Sequence, residues 1–318
     1  MNAQPKPVAE LGFNTATKGV YPIAATPFNP DQSVDWDSLD RLTDFYEASG
    51  ATGITILGIL GEAGKLDPEE SREIAARVIR RTRLPIVVGV SNPSFTAMGR
   101  LAKESMDLGA AGVMIAGHAA LRSDEQIAAH FRSAVDAIGP DTPWALQDYP
   151  LTLSVVLSVP MIARIMTEHP SCVMLKAEDW PQLEKLSTIR SWQKDGKMPA
   201  FSILTANGGL FLDFEPERGS DGAMTGYAFP DALVEMDALH RRGERDAAHD
   251  LFDAHLPMIR MEQQAGVGLA VRKYLLMRRG AIACDIQRKP GTALTAQGRS
   301  EIDYLLERLA RKDARARL

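Results

Sequence analysis

Cysteine is scarce in this chain: Cys172 and Cys284 are the only two among 318 residues. Two are too few for a disulfide framework, so a reducing, cytoplasmic setting is expected. No window approaches the ~18 uninterrupted apolar residues that a membrane span needs. The opening stretch, Met1 to Thr17, holds Pro5, Lys6, Pro7, Glu10 and Asn14 and lacks the apolar core of a secretory signal. Positive charge is not in excess either. A net charge of -5 and a pI near 5.8 argue against a nucleic-acid or anionic-membrane surface as partner. The six histidines are scattered, with no His-x-x-x-His and no paired cysteines, so no metal site is expected. A serine-centred nucleophile elbow and a Gly-x-Gly-x-x-Gly turn after a strand are also missing, which removes support for hydrolase and dinucleotide-cofactor readings. No cofactor of any kind is expected.

What is present is the composition of a globular protein: 45% hydrophobic, 24% charged, mean hydropathy -0.14. Short apolar runs alternate with amphipathic segments. Strands are predicted over 19–28, 53–57, 85–90, 112–116, 143–147, 172–176, 199–204 and 222–225. Helices are predicted over 35–49, 67–83, 94–108, 123–138, 155–168 and 180–195, and a short one opens at Asn207. Asp67-Pro68-Glu69-Glu70 is a helix start with proline at the first position. Repetition of a strand–helix unit about eight times predicts an α/β protein, a (β/α)8 TIM barrel closed by right-handed crossovers. Residues 1–18 read as a polar leader, 19–230 as the barrel and 231–318 as a C-terminal helical region with no strand. The charged run Arg308 to Arg317 reads as a solvated helix end.

The chemistry centres on Cys172-Val173-Met174-Leu175-Lys176, followed by Ala177-Glu178-Asp179. An apolar run ending in lysine reads as a doubly buried strand that delivers Lys176 to the barrel's C-terminal end, where such enzymes carry their catalytic groups. A neutral lysine amine there can attack a carbonyl and form a Schiff base. A lysine that merely leaves the sheet for solvent is the plain alternative.

With Gly58-Ile59-Leu60-Gly61-Glu62 after the second strand, Lys176 on the sixth, Gly219 to Gly226 around the eighth and a helical C-terminus, the chain resembles the dihydrodipicolinate synthase / N-acetylneuraminate lyase superfamily. The resemblance covers about residues 18 to 300. It implies a barrel with a helical extension, a homotetramer, and a lysine Schiff base on a small 2-oxo acid. Departures from the family are specific. Its loop hydroxyls are replaced by Ile59 and Leu60, whose side chains donate no hydrogen bond, though the amides of Leu60 and Gly61 remain. Its Tyr-Asn-x-Pro motif becomes Gln147-Asp148-Tyr149-Pro150. Alternation along an extended strand puts Tyr149 on the same side as Gln147, from where it could offer a phenol. His118-Ala119 stands where two tyrosines are usual. Loss of such a relay slows proton transfers by roughly 10² to 10⁴.

Glu178, two residues beyond Lys176, is the first replacement proton carrier, and some sugar-acid dehydratases of the superfamily resemble this Lys-x-Glu arrangement. Pairing with Lys176 or capping the next helix is its structural alternative. His118 can titrate near neutrality or simply face solvent. Glu62 is either catalytic or a structural acceptor of loop amides. The amides at Asn207-Gly208-Gly209 can meet a substrate hydroxyl or carboxylate, and Met224 lines the pocket floor or packs in the core. Arg272 and Lys273, on a helix that shapes the barrel's outer wall, are assigned no chemistry. The expected activity is Schiff-base lyase chemistry, aldol or dehydration, on pyruvate or a 2-keto-3-deoxy sugar acid. The alternatives are a true dihydrodipicolinate synthase, joining pyruvate to aspartate semialdehyde, and a barrel that binds a metabolite without turning it over.

Overall fold

The computed structural model describes residues 12–318; most of the predicted polar leader therefore lies outside the described residues. Eight parallel strands are paired in the order β1-β8-β7-β6-β5-β4-β3-β2. They are β1 (Gly19–Val20), β2 (Ile54–Ile56), β3 (Ile86–Gly89), β4 (Gly112–Ala116), β5 (Trp144–Asp148), β6 (Cys172–Ala177), β7 (Ser202–Thr205) and β8 (Gly222–Ala223). The first strand is much shorter than the sequence suggests, because Pro22 and Pro27 lack amide donors for a continuous ladder. Its continuation still closes the ring. Ile23 bridges Thr55 in parallel, and backbone bonds run from Thr52 N to Val20 O (2.8 Å), Thr55 N to Pro22 O (2.9 Å) and Ala24 N to Thr55 O (2.8 Å). The other side of the seam needs glycine. Gly222 has φ +141°, and a Cβ there would lie 2.0 Å from the carbonyl oxygen of Gly19.

Between the strands run α1 (Trp36–Ala48), α2 (Pro68–Arg81), α3 (Phe95–Asp107), α4 (Asp124–Ile138), α5 (Pro150–Leu153), α6 (Val159–Glu168) and α7 (Gln182–Lys194). Their starts are legible as N-caps: Asp35, Ser94, Ser123 and Ser158 each accept a backbone N–H, and Asp67 with Glu70 forms a full capping box. After β8 come α8 (Pro230–Arg241), which packs against β1, then α9 (Arg245–Glu262), α10 (Gly268–Arg278) and α11 (Ala296–Ala310).

Two cores follow from strand alternation. Residues facing outward, among them Leu146, Leu175 and Ile203, join the helix-packed core. Those facing inward fill the barrel with Tyr21, Ile23, Val87, Met114, Ala145, Met174, Leu204 and Met224, all buried. Met174 lies directly below Lys176 in this alternation. The lysine therefore stands on an apolar floor, with Gln147 on one side and Leu204 on the other in the strand register.

Candidate active site

Lys176 and Glu178 are about 5% and 4% exposed, and Gln147 is as buried. The Lys176 ammonium pairs with Glu178 Oε1, which also accepts from Gln147 Nε2 at 3.0 Å. Glu178 reaches inward although β6 ends at Ala177, because its N–H still donates to Asp148 O at 3.0 Å and carries the alternation one residue further. Asp179 goes the other way. Lys185 Nζ holds it at 2.8 Å and Asp148 Oδ2 at 2.6 Å on the outer side of the sheet, where burial pushes the Asp148 carboxyl up to about 6. Two adjacent carboxylates are thus separated by the pleat, one to each lysine.

Above this group, the segment Ile59–Gly61 forms a 3-10 turn. Gly61 N is committed to Gly58 O at 3.0 Å, which removes one of the two amides expected to hold a carboxylate. Leu60 packs on the barrel-lining cluster, while Ile59 is exposed. Thr26 Oγ1 donates to Gly61 O at 2.6 Å and pins the turn. Met224 is fully buried in the lumen.

Three predicted residues sit differently from expectation. Strand β5 stops at Asp148, and half-buried Tyr149 turns off as the N-cap of α5, so the alternation argument for its phenol lapses. Its hydroxyl makes no hydrogen bond among the described residues. His118 lies exposed in the loop after β4, where Nδ1 accepts from Ala120 N at 3.2 Å. Asn207–Gly209 forms one irregular 3-10 turn and not the start of a regular α-helix: φ is +52°, +69° and +79° in succession, and Gly208 N donates to Thr225 Oγ1 at 2.7 Å. Asn207 contributes its side chain instead, donating from Nδ2 to Glu178 O (3.2 Å) and to Gln182 Oε1 (2.9 Å).

Sequence reasoning missed the support around these groups. Glu62 accepts not from loop amides alone but from Lys65 Nζ (2.8 Å), Lys273 Nζ (2.5 Å) and Arg288 N (3.1 Å). Arg272 donates from Nε to Glu262 (2.7 Å) and from Nη2 to Gly226 O (2.7 Å). Arg272 and Lys273 are buried, and instead of shaping an outer wall they clamp the loops after β2 and β8. Gln182 and Glu215, neither singled out in the sequence, join Asn207 in a buried chain. Among the described residues no three potential metal ligands converge. A surface cleft of about 750 Å³, lined by Phe95, Arg100, Lys103 and Asp136, belongs to the outer helices and touches none of these groups.

Comparison with known proteins places this geometry in context. The sequence model of the dihydrodipicolinate synthetase family matches residues 16–309. An L-2-keto-3-deoxyarabonate dehydratase of Azospirillum brasilense is 28% identical over 92% of this chain and 94% of its own. A 4-hydroxy-tetrahydrodipicolinate synthase of Marinobacter nauticus is 26% identical over 89% and 95%. A crystal structure described as dihydrodipicolinate synthase from Rhodopseudomonas palustris superposes with TM-score 0.92 at 58% identity, over 94% of this chain and 99% of that one.

Proposed function

The chain belongs to the dihydrodipicolinate synthetase family, and from that premise we propose that it is a Schiff-base lyase that removes water from a 2-keto-3-deoxy sugar acid. The observation that carries the proposal is the carboxylate of Glu178, bonded at one oxygen to both Lys176 and Gln147. The loop side chains Ile59 and Leu60 bring no hydroxyl to the site.

The amine of Lys176 adds to the C2 ketone, and loss of water leaves an iminium. This cation is an electron sink. Glu178 removes a proton from C3, giving an enamine. The enamine's electrons expel the C4 hydroxyl, which leaves as water with the proton Glu178 has just taken up. Hydrolysis of the conjugated iminium returns the free amine of Lys176. One carboxylate suffices because the proton removed at C3 is the one needed at C4, and an acid-base group within contact of the imine supplies both transfers. Gln147, an amide with no acidic proton, holds the carboxylate in place. The dehydratase relative supports this reading.

Condensation of pyruvate with aspartate semialdehyde is the second reading, supported by what the Rhodopseudomonas structure is described as. It shares the iminium but needs proton transfers at a second carbonyl. Assay on both substrates, beside a panel of 2-keto-3-deoxy acids, separates the two. Borohydride reduction with pyruvate, then peptide mass mapping, is expected to leave the adduct on Lys176; turnover with Lys176 unmodified would overturn the mechanism. A homotetramer in the cytoplasm belongs to the same proposal by family likeness, and sedimentation tests the assembly.

A further inference from the structure

The outer side of the sheet carries a clamp directly behind the site. Lys185 Nζ donates to Asp148 Oδ2 (2.6 Å), Asp179 Oδ2 (2.8 Å) and Leu157 O (2.5 Å), which engages all three of its hydrogens. The lysine side chain is 13% exposed and the two carboxylates 1% and 15%. Asp148 Oδ1 has no hydrogen-bond partner among the described residues, so this buried carboxylate is compensated through Lys185. Lys185 stands in the first turn of α7, where a cation opposes the helix dipole. Its place is explained by what it binds and not by the helix.

What it binds adjoins the reacting groups in sequence. Asp148 follows Gln147 at the end of β5, and Asp179 follows Glu178 just past β6. The pleat turns each pair apart, so Gln147 and Glu178 point inward while Asp148 and Asp179 point outward. Beyond the register pair Asp148–Ala177, the backbone joins the two strand ends through Glu178 N to Asp148 O at 3.0 Å. A single hydrogen bond lets a strand end pivot. A cation bonded to a carboxylate on each side, and to the carbonyl of Leu157 in the segment after α5, removes that freedom. Leu186 and Ile189 anchor α7 in the same helix-packed core as Leu175 and Ile203, so the helix does not depend on Lys185 to stay docked.

We propose that Lys185 is a positioning residue: its grip on Asp148 and Asp179 outside the sheet sets the spacing of Gln147 and Glu178 inside it, and so aims the Glu178 carboxylate at the Lys176 imine. The proposal rests on the lyase reading for the proton that Glu178 carries. Misplacing such a group by about an ångström costs up to about 10² in rate.

The test reads position separately from folding. Borohydride trapping counts the sites that form a pyruvate imine on Lys176, and proton NMR in D₂O follows deuterium entering C3 of pyruvate. That exchange needs a base to take the C3 proton; the bonding electrons stay in the enamine, and a deuteron from solvent returns in its place. In Lys185→Met, exchange per trapped site is expected to fall roughly 10- to 100-fold, with half-saturation for trapping within about twofold of the wild type. A loss in strict proportion to trapped sites, or no loss, would overturn the proposal. If Lys185→Met does not fold because Asp148 is left without its cation, Asp179→Ala decides by the same split, since Lys185 there still neutralises Asp148. If the wild type traps no adduct or shows no exchange, the lyase reading fails by itself. The Gln147 Nε2–Glu178 Oε1 separation in crystals of the wild type and the variant then decides: lengthening past hydrogen-bond reach in the variant upholds the clamp, and an unchanged separation overturns it.

Discussion

Lys176 and Lys273 are both buried lysines paired to a glutamate, yet their surroundings differ in one respect. Lys273 Nζ is saturated: Glu62 at 2.5 Å, Ile286 O at 2.8 Å and the Phe28 ring at 4.5 Å. Burial pulls its pKa below the ordinary lysine range, and Glu62 opposes that shift. Lys176 has one protein partner among the described residues, Glu178. A saturated ammonium is held in place and ties distant segments together; an under-coordinated amine keeps room for a carbonyl carbon. Burial alone therefore does not mark a reactive lysine. On the mechanism proposed above, the number of groups left to bond does.

Substitutions at the two lysines should separate these roles. Lys176→Ala is expected to lower turnover by at least about 10⁴-fold and to abolish the pyruvate adduct, and it also costs stability because buried Glu178 is left with Gln147 as its side-chain partner. Lys273→Met should cost stability alone. It leaves Glu62 short of a partner and costs about 3–5 kcal/mol in denaturant unfolding, while the folded fraction still yields a pyruvate adduct on Lys176. Equal losses of activity and stability in both variants would remove the distinction.

Glu178→Gln keeps a similar shape but cannot carry a proton. Turnover is expected to fall by roughly 10² to 10⁴, with trapped pyruvate adduct still formed on Lys176. Gln147→Leu, which only frees the carboxylate, should cost about tenfold in kcat. The smallest effect is a slope with pH. Glu215 keeps its proton up to about 8 in the fold, against 4.5 when unfolded. The stability it contributes is full below pH 4.5 and is lost as pH rises through 8. Thermal melts of Glu215→Gln should decline less over that window than those of the wild type.

The barrel was legible because its strands are mostly apolar and five of its helices, α1 to α4 and α6, start on a side-chain cap, as at Asp67-Pro68-Glu69-Glu70. Lys176 could be found because the pattern puts it at a strand end, and Glu178 because a pleat repeats every two residues. Tyr149 misled because the strand stops one residue before it, and the proline that follows draws the chain into α5. Asn207 contributes its side chain to the hydrogen bonds around Glu178, where the sequence pointed to its amide, since three consecutive positive φ values leave no trace in a helix-start pattern. Arg272 and Lys273 read as part of a helix that shapes the barrel's outer wall, and no sequence pattern singled out Gln182 or Glu215.

By itself the sequence determined the ring of eight strand–helix units, the lysine at the end of the sixth and the carboxylate beside it, because those depend on local periodicity. Tertiary structure alone decided which polar groups would meet: Glu62 with Lys273 across 211 residues, Gln182 with Glu215 across 33. Such pairs have no period to read. They exist because buried polar groups must find partners wherever the closed barrel brings them, and that closure decides that Lys273 is saturated while Lys176 keeps one partner, Glu178.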